Sequence, residues 1–358
     1  MNRVAVRILH VEADSRSGPL ETWLADARSS NAEKLLLGFL RAGASDVEIA
    51  SGRPDGTPFG ARVRSLVAEG IRPHEGLVLL GSGSIPLAQR ADLDAFLATA
   101  ASGERRALVN NRYSADVVAV GQTAGLLELP DLPGDNALPR WLDEVGGYEV
   151  DDLRRRIRLA MDLDSPLDVA LIGGAGRVEP AAEPPMFDVV ERRLADLRTV
   201  ATDRRAELLV AGRTSAGTLR WLERSTASRV RALVEERGLR ASTLEASGSG
   251  NVQRPPRSAL GMILDDRGPE ALGAVIAELG DGAFIDSRVL LAHRLGADEA
   301  AWPPAEDRFA SDLLLVDRVG DPWLRALTAS ARNATIPIVL GGHSLVGPGI
   351  RLALGRRA

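Results

Sequence analysis

The feature that most constrains the fold of this chain is a regular alternation of short apolar runs with helical patterns. In the N-terminal half, the apolar runs VAVRILHVEA, DVEIA, GLVLLG and RALVNN are separated by segments with helical periodicity, such as NAEKLLLGFLRAG and RADLDAFLATAA. Strands that alternate with helices of this length are joined by crossover connections, which produce a parallel sheet. The sequence therefore predicts an α/β fold.

A stretch rich in Gly, Pro and Ala, GGAGRVEPAAEPPM at residues 173–186, interrupts this alternation. After it we predict strands at ELLVAG, AFIDSRVLLA, DLLLV and IPIVLGG, and helices at TSAGTLRWLERS, ASRVRALVEERG, GPEALGAVIAELG and DPWLRALTASAR. A chain of 358 residues is long enough for two cores. We expect two three-layer α/β/α domains, at residues 1–174 and 187–358, joined by a linker at 175–186.

Composition excludes several classes of protein. A net charge of −5 argues against a dedicated nucleic-acid binder, which needs a clustered basic surface. The absence of cysteine excludes disulfides, thiol nucleophiles and cysteine-ligated metals, and it is typical of cytosolic proteins. The N-terminus MNRVAVRILHVEAD does not resemble a signal peptide, and no apolar run is long enough for a membrane span. We therefore expect a cytoplasmic protein without a membrane partner.

Lys34 is the only lysine in the chain, which otherwise uses arginine for every long cation. The lysine ammonium is a compact point charge that fits between phosphates, whereas the arginine fork suits flat bidentate pairing. Lys34 is therefore a candidate phosphate ligand. The alternative is a solvated residue on a helix surface.

The loop that follows the strand GLVLLG is rich in small residues. Gly81, Ser82, Gly83 and Ser84 leave the predicted strand and precede a helix. Ligands of parallel sheets lie beyond the carboxyl ends of the strands, and small residues let a ligand approach the backbone closely. We expect this loop to line the base and sugar of a nucleotide.

The strand RALVNN places Asn110, Asn111 and Arg112 at the same predicted edge. Amide side chains are suited to reading a base or a sugar, and a guanidinium is suited to binding a phosphate. The alternative is a simple turn, since asparagine tolerates a left-handed backbone.

Two aspartates follow another predicted strand, in RRIRLAMDLDSPLDVALI at residues 155–172. Asp162 and Asp164 are two residues apart, so on a strand they would point the same way and suit Mg²⁺ shared with substrate phosphates. The alternative is helix capping by Asp164 or Ser165, with Asp168 placed favourably at the positive end of the helix dipole.

Three of these pieces resemble the nucleotidyltransferases of the nucleotide-diphospho-sugar transferase fold, which is GT-A-like. They are the lysine-bearing first helix, the strand that ends in a PL turn before a helix, and the late D-x-D-[ST]-P-x-D segment. The segment DLDSPLDVALI is most similar to the small guanylyl- and cytidylyltransferases, such as the 2-phospholactate guanylyltransferases. The resemblance covers residues 1–175.

The resemblance implies a Rossmann-like first domain with a mostly parallel sheet, acting on a nucleoside triphosphate and a phosphorylated acceptor. By position, Lys34 would hold phosphates together with Arg16 or Arg28, and Asp162 and Asp164 would hold Mg²⁺. The acceptor phosphate would attack the α-phosphate in line, and pyrophosphate would leave.

Ser84 leads to a second hypothesis. The family has G-D-x-P-L where this chain has G-S-I-P-L, so Ser84 occupies the position of a metal-binding aspartate. A neutral hydroxyl is a much weaker Mg²⁺ ligand than a carboxylate. The chain would then be a catalytically degenerate transferase-fold protein that senses a ligand or scaffolds an assembly, with a homodimer formed through the C-terminal domain.

A third hypothesis places the active site in the C-terminal domain. His343 and Ser344 follow the predicted strand IPIVL in GGHSLVGPG, and Asp286 lies in AFIDSRVLLA. A histidine titrates near neutral pH and can act as a general acid or base. The alternative is a structural histidine in a Gly-rich turn, and Ser344 lacks the glycine spacing of a hydrolase nucleophile elbow.

Overall fold

The computed structural model describes residues 3–53, 55–71, 75–132, 134–173, 187–236 and 256–355, and these fall into two compact units. The first unit takes in the residues up to Ala13 and Ala25–Asp162, and the second takes in Asp14–Leu24 and the described residues from Leu163 onward. The predicted linker at 175–186 lies outside the described residues. Segments 14–24 and 163–173, which the sequence placed in the first domain, have most of their contacts within the second unit.

The first unit is built on a six-stranded sheet in the order β2-β1-β3-β5-β4-β6. The strands are β1 (Val4–Val11), β2 (Asp46–Gly52), β3 (Gly76–Gly81), β4 (Arg106–Val109), β5 (Val117–Val120) and β6 (Glu149–Asp152). Within this sheet β5 runs antiparallel to both of its neighbours, and the other pairings are parallel. The predicted α/β class with a mostly parallel sheet is confirmed, and five strands end at the same edge.

Helices cover both faces of this sheet. They are α1 (Pro19–Ala42), α2 (Phe59–Gly70), α3 (Arg90–Ala100) and α4 (Leu138–Glu144). One buried cluster includes Phe39 of α1 and Phe96 of α3, and the other includes Val63 of α2 and Leu142 of α4. Two separate cores, one on each face, make the first unit three-layered.

The helix predicted at NAEKLLLGFLRAG starts earlier than expected, because α1 begins at Pro19. Proline is well suited to the first helical position. The carboxylate of Glu306 accepts hydrogen bonds from the backbone N–H groups of Leu20 at 2.9 Å and Glu21 at 3.2 Å, and so satisfies two donors at the start of the helix. Arg28 is therefore a helical residue.

The second unit is built on a fully parallel sheet in the order β10-β9-β7-β8. Its strands are β7 (Glu207–Gly212), β8 (Arg229–Val234), β9 (Gly282–Asp286) and β10 (Ile338–Gly341). Its helices are α5 (Pro166–Gly173), α6 (Asp188–Thr202), α7 (Ala216–Ser225), α8 (Ala259–Arg267), α9 (Leu272–Leu279), α10 (Ser287–Leu295), α11 (Ala305–Asp312), α12 (Pro322–Asn333), α13 (His343–Val346) and α14 (Gly349–Ala353). No helix in the described ranges combines the length and apolar character that crossing a membrane requires.

Three predicted elements of the second half are wrong. The predicted helix ASRVRALVEERG contains strand β8, and the predicted strand DLLLV forms the end of α11 and a buried turn. The predicted strand AFIDSRVLLA changes to helix α10 after Asp286. Most of the first residues of α10 are buried, so its sequence is apolar without a clear period, and such a run does not distinguish strand from helix.

Candidate functional site

The loop that leaves β3 is fastened to α1 through its backbone. Asn31 Nδ2 donates to the carbonyl oxygens of Ser82 at 2.8 Å and Ser84 at 3.0 Å, and Lys34 Nζ donates to the carbonyl oxygen of Pro86 at 2.7 Å. A lysine ammonium has three donors, and this bond uses one of them. The observed role of Lys34 is to hold the loop that was predicted to line a nucleotide.

The side chain of Ser84 closes the turn of the same loop. Its Oγ donates to the carbonyl oxygen of Asp116 at 3.0 Å and accepts from the backbone N–H of Gly81 at 3.1 Å, and the residue is buried. The backbone of Ser84 also forms an isolated antiparallel bridge with Asp162. The next residue, Ile85, has a φ of +42°, which is uncommon for a β-branched residue and marks a tightly constrained turn.

A histidine that the sequence analysis did not single out lies at the end of β1. His10 Nδ1 is 3.0 Å from Ser82 Oγ. Burial lowers the pKa of His10, with Glu12 opposing the shift and Arg28 adding to it. Arg28 therefore contributes positive charge at this strand end. Arg16 is 90% exposed in its side chain and pairs with Asp14 at 3.4 Å.

Asn110, at the end of β4, uses its whole amide group inside the protein. Its Oδ1 accepts from the N–H groups of Asp116 and Val117, and its Nδ2 donates to a carboxylate oxygen of Asp116 and to the carbonyl oxygen of Leu159. These four bonds use both donors and both lone pairs of the amide. Asn111 accepts from the N–H of Tyr113, which is the turn that the alternative interpretation expected.

Two groups of candidate residues that the sequence analysis kept apart meet in the structure. His343 Nδ1 lies 3.7 Å from Asp164 Oδ2. One ligand atom each from Asp162, Asp164 and His343 lie within 4.8 Å of one another, so this group could hold a metal ion. A single residue separates Asp162 from Asp164, so the chain itself keeps the two carboxylates close to each other.

Comparison with known proteins identifies no relative of this chain. No protein-family model, curated protein or solved structure matches the chain. The resemblance to nucleotidyltransferases therefore stays a prediction, and the site is assessed from its own geometry.

The position of Asp164 is set by the start of α5. Asp168 Oδ2 accepts from the N–H of Asp164 at 3.1 Å, from the N–H of Ser165 at 2.8 Å and from the hydroxyl of Ser165 at 2.9 Å. Asp168 and Ser165 thus cap the helix, while the Asp164 side chain is 54% exposed and directed to His343. The predicted strand before these aspartates is absent, and an isolated bridge at Asp162 takes its place.

His343 opens α13 directly after β10, at the carboxyl edge of the second sheet. A side chain on Gly341, the last residue of β10, would meet Leu345 at 2.8 Å, whereas Gly342, the residue before α13, has open space around it. The side chain of His343 is 35% exposed. Ser344 is buried within α13.

Asp286, the third residue of the alternative C-terminal site, is fully engaged by an arginine. Arg213 donates to its carboxylate at 2.6 Å and 3.0 Å, and the same carboxylate caps α10 by accepting from the N–H of Arg288. Burial raises the pKa of Asp286, but the nearby charges of Arg213 and then His343 outweigh burial and leave the pKa below its usual range. Asp286 is thus a buried, charged carboxylate whose main partner is Arg213.

A second buried ion pair supports this edge. Arg288 donates to the carboxylate of Asp312 at 2.5 Å and 2.6 Å. Burial lowers the pKa of Arg288, but Asp312 raises it further than burial lowers it, so the guanidinium stays charged. Asp286 and Arg288 therefore pair with Arg213 and Asp312, respectively.

Proposed function

We propose that this chain is a nucleotidyltransferase-like protein that binds a divalent metal ion at Asp162, Asp164 and His343. Through that ion it would bind a nucleoside triphosphate or another phosphorylated small molecule. The observation that carries the proposal is the convergence of two carboxylates and an imidazole within 4.8 Å. A metal ion held there would neutralise phosphate charge and polarise a phosphoryl oxygen.

The donor set bears on which metal is bound. Mg²⁺ prefers oxygen ligands in near-ideal octahedral geometry, whereas imidazole suits Zn²⁺ and other transition metals. Because His343 contributes a nitrogen, we expect Mn²⁺ or Zn²⁺ to bind more tightly than Mg²⁺. This revises the Mg²⁺ expectation that two aspartates alone had supported.

The chain's own residues would act mainly by positioning. Capping by Asp168 holds the backbone of Asp164, and the turn after β10 holds His343, so neither side chain has to move far to meet a ligand. Acceptor attack on the α-phosphate with loss of pyrophosphate needs such alignment and charge stabilisation more than covalent chemistry from the protein. Lys34 and Arg28 are the proposed phosphate contacts of the first unit.

A catalytically degenerate, ligand-sensing protein is the second candidate, and Ser84 favours it. The Ser84 hydroxyl donates to Asp116 and accepts from Gly81, and it offers no carboxylate at the position where the resembled enzymes have one. A pyrophosphate-release assay with the four nucleoside triphosphates and phosphorylated acceptors separates the two candidates. Turnover supports transfer, and ligand binding without turnover supports sensing.

Metal binding is the first experiment. Metal-free wild type is titrated with Mn²⁺, Zn²⁺ and Mg²⁺ by isothermal titration calorimetry, beside Asp164→Asn and His343→Gln. Asp94→Asn is the matched control, because the side chain of Asp94 is 48% exposed, close to the 54% of Asp164. We expect binding that both site variants weaken and the control does not.

The same variants then test the ligand. Thermal-shift titrations with GTP, CTP, UTP and ATP are run with and without the metal, since a ligand that binds the native state raises its stability. A shift that requires both the metal and Asp164 supports the proposal. Wild type that binds none of the three metals contradicts it.

A further inference from the structure

A basic cavity of about 480 Å³ opens at one edge of the first unit. Four arginines, Arg112, Arg154, Arg155 and Arg156, line it together with Asp151 and Asp152. These side chains carry two more positive than negative charges. The volume falls within the range of about 300–1,000 Å³ that is typical of small-molecule sites.

The cavity lies where open α/β sheets usually bind their ligands. Arg112 follows β4, and the other three arginines follow β6, which is paired in parallel with β4. The carboxyl ends of these two strands therefore meet at the cavity. Ligands of such sheets lie beyond the carboxyl ends of the strands.

Two of the arginines are held in place by partners. Arg112 donates to the carboxylate of Asp143 on α4. Arg154 lies 3.2 Å from Asp152 and 5.7 Å from the ring centroid of Tyr113. Such contacts restrict the guanidinium groups before any ligand arrives, which lowers the entropy cost of binding.

The other two carry charge that is less fully matched. Arg156 donates to Asp92 at 2.8 Å, but Asp92 also accepts two bonds from Arg158, so one carboxylate is shared by two guanidinium groups. Arg155 is exposed and has no ion pair with the part of the chain that the structure describes. The excess positive charge of the cavity is concentrated at these residues.

We infer that this cavity binds the dianionic phosphate group of a small phosphorylated molecule, with Arg155 and Arg156 as its contacts. Arg155 and Arg156 supply positive charge that nearby carboxylates do not fully match, and the fork of arginine donors fits phosphate oxygens bidentately. All the lining residues belong to the first unit, and none of them is a residue of the metal group. The inference is therefore independent of the metal-site proposal.

The test uses inorganic phosphate and glycerol 2-phosphate as probes, titrated into wild type by calorimetry at pH 8. EDTA is present, so the metal site does not contribute, and NaCl holds the ionic strength constant. Acetate serves as a monoanion control. We expect saturable binding of at least one phosphate probe and none of acetate.

Two variants locate the binding. Arg155→Gln should weaken phosphate binding about tenfold or more, because a charge-assisted hydrogen bond is lost. Arg90→Gln is the matched control, since that side chain is 58% exposed and lies outside the cavity, and it should bind as wild type does.

Several outcomes would overturn the inference: no saturable phosphate binding by wild type, equal binding of acetate, or equal losses in Arg155→Gln and Arg90→Gln. Tighter binding of glycerol 2-phosphate than of inorganic phosphate would identify a phosphorylated organic molecule as the ligand. The reverse order would identify the free anion. Circular dichroism of each variant confirms that it is folded.

Discussion

The carboxyl edges of the two sheets use their polar residues in different ways. In the first unit, Asn31, Lys34, Ser84 and Asn110 bond mainly to backbone groups of neighbouring loops. In the second unit, the buried carboxylate of Asp286 pairs with Arg213. His343, whose side chain is 35% exposed, lies near this pair.

The two edges therefore differ in what their side chains do: those of the first edge shape a surface, and those of the second edge expose candidate metal ligands. Side chains that bond to the backbone fix the shape of a loop, which suits a surface that a nucleotide rests on. Buried ion pairs fix the ends of strands and leave the adjacent His343 and Asp164 at the surface. The comparison predicts that changes in the first edge alter stability, while changes at His343 alter metal binding.

The largest expected effect is on the buried pair of the second unit. Asp312→Asn should lower the free energy of unfolding by about 3–5 kcal/mol, because it leaves the buried Arg288 without its counter-charge. Urea denaturation at pH 7 measures the loss. Arg288→Met combined with Asp312→Leu removes both charges and should recover most of it. A single variant that loses under about 1 kcal/mol would show that the pair is not buried as described.

The next effect is on Asp92 in the first unit, which is fully buried against Arg156 and Arg158. Burial raises its pKa, but Arg158, the N–H of Gln89 and Arg156 outweigh burial and leave the pKa below its ordinary value of 3.8. Its contribution to stability is therefore present above pH 3.8 and is lost as the pH falls through the lowered pKa. Asp92→Asn should be destabilised by about 3 kcal/mol at pH 7.

Stability measured from pH 7 down to pH 2 checks the direction of the pKa shift of Asp92. The difference between wild type and Asp92→Asn should shrink at the acid end, where the wild-type carboxyl is protonated. Asp94→Asn, on the same helix but at an exposed position, should show no such trend. A difference that stays constant with pH would contradict the assigned ion pairs.

A smaller effect is expected at Ser84. Ser84→Ala removes a hydroxyl that donates to Asp116 and accepts from Gly81, so it should cost about 1–3 kcal/mol of stability. Metal affinity should change less than twofold, because the hydroxyl serves the turn. Thermal denaturation and the metal titration are run on the same sample. A large loss of metal affinity with unchanged stability would make Ser84 a ligand instead.

The smallest effect concerns His10. Burial lowers its pKa from 6.5, so the native state favours the neutral ring. The stability that this provides is present above pH 6.5 and is lost as the pH falls toward the lowered pKa. His10→Gln should remove this pH dependence. The change in the free energy of unfolding that it removes is less than about 1 kcal/mol. Equal slopes for both proteins between pH 7 and pH 5 would contradict it.

Much of the fold follows from the sequence, because its signals are local. Periodicity and turn residues indicate the alternation of strands and helices from β1 to α3. All six elements form where they are predicted, although α1 begins earlier. Strands β5 and β6 were not predicted. Each has only four residues, and a short apolar run such as VVAV is compatible with either strand or helix.

The sequence indicated the individual residues of the candidate metal site but not that they lie together. Asp162 and Asp164 carry a spacing signal, and His343 carries the signal of a strand end in a Gly-rich turn. Their meeting depends on the packing of segments that are almost 180 residues apart in the chain, which no local pattern records. The local bonding of Ser84, Asn110 and Asp286 was equally hidden, since composition does not show which backbone group a side chain meets.

The central claim is that His343 and the two aspartates bind one metal ion. The most direct test is electron spin echo envelope modulation of Mn²⁺ bound to the wild type, beside His343→Gln and Asp94→Asn. The account predicts nitrogen modulation from a coordinated imidazole in wild type and in Asp94→Asn, and its loss in His343→Gln. Bound Mn²⁺ without nitrogen modulation in wild type, or modulation that survives in His343→Gln, would contradict the account.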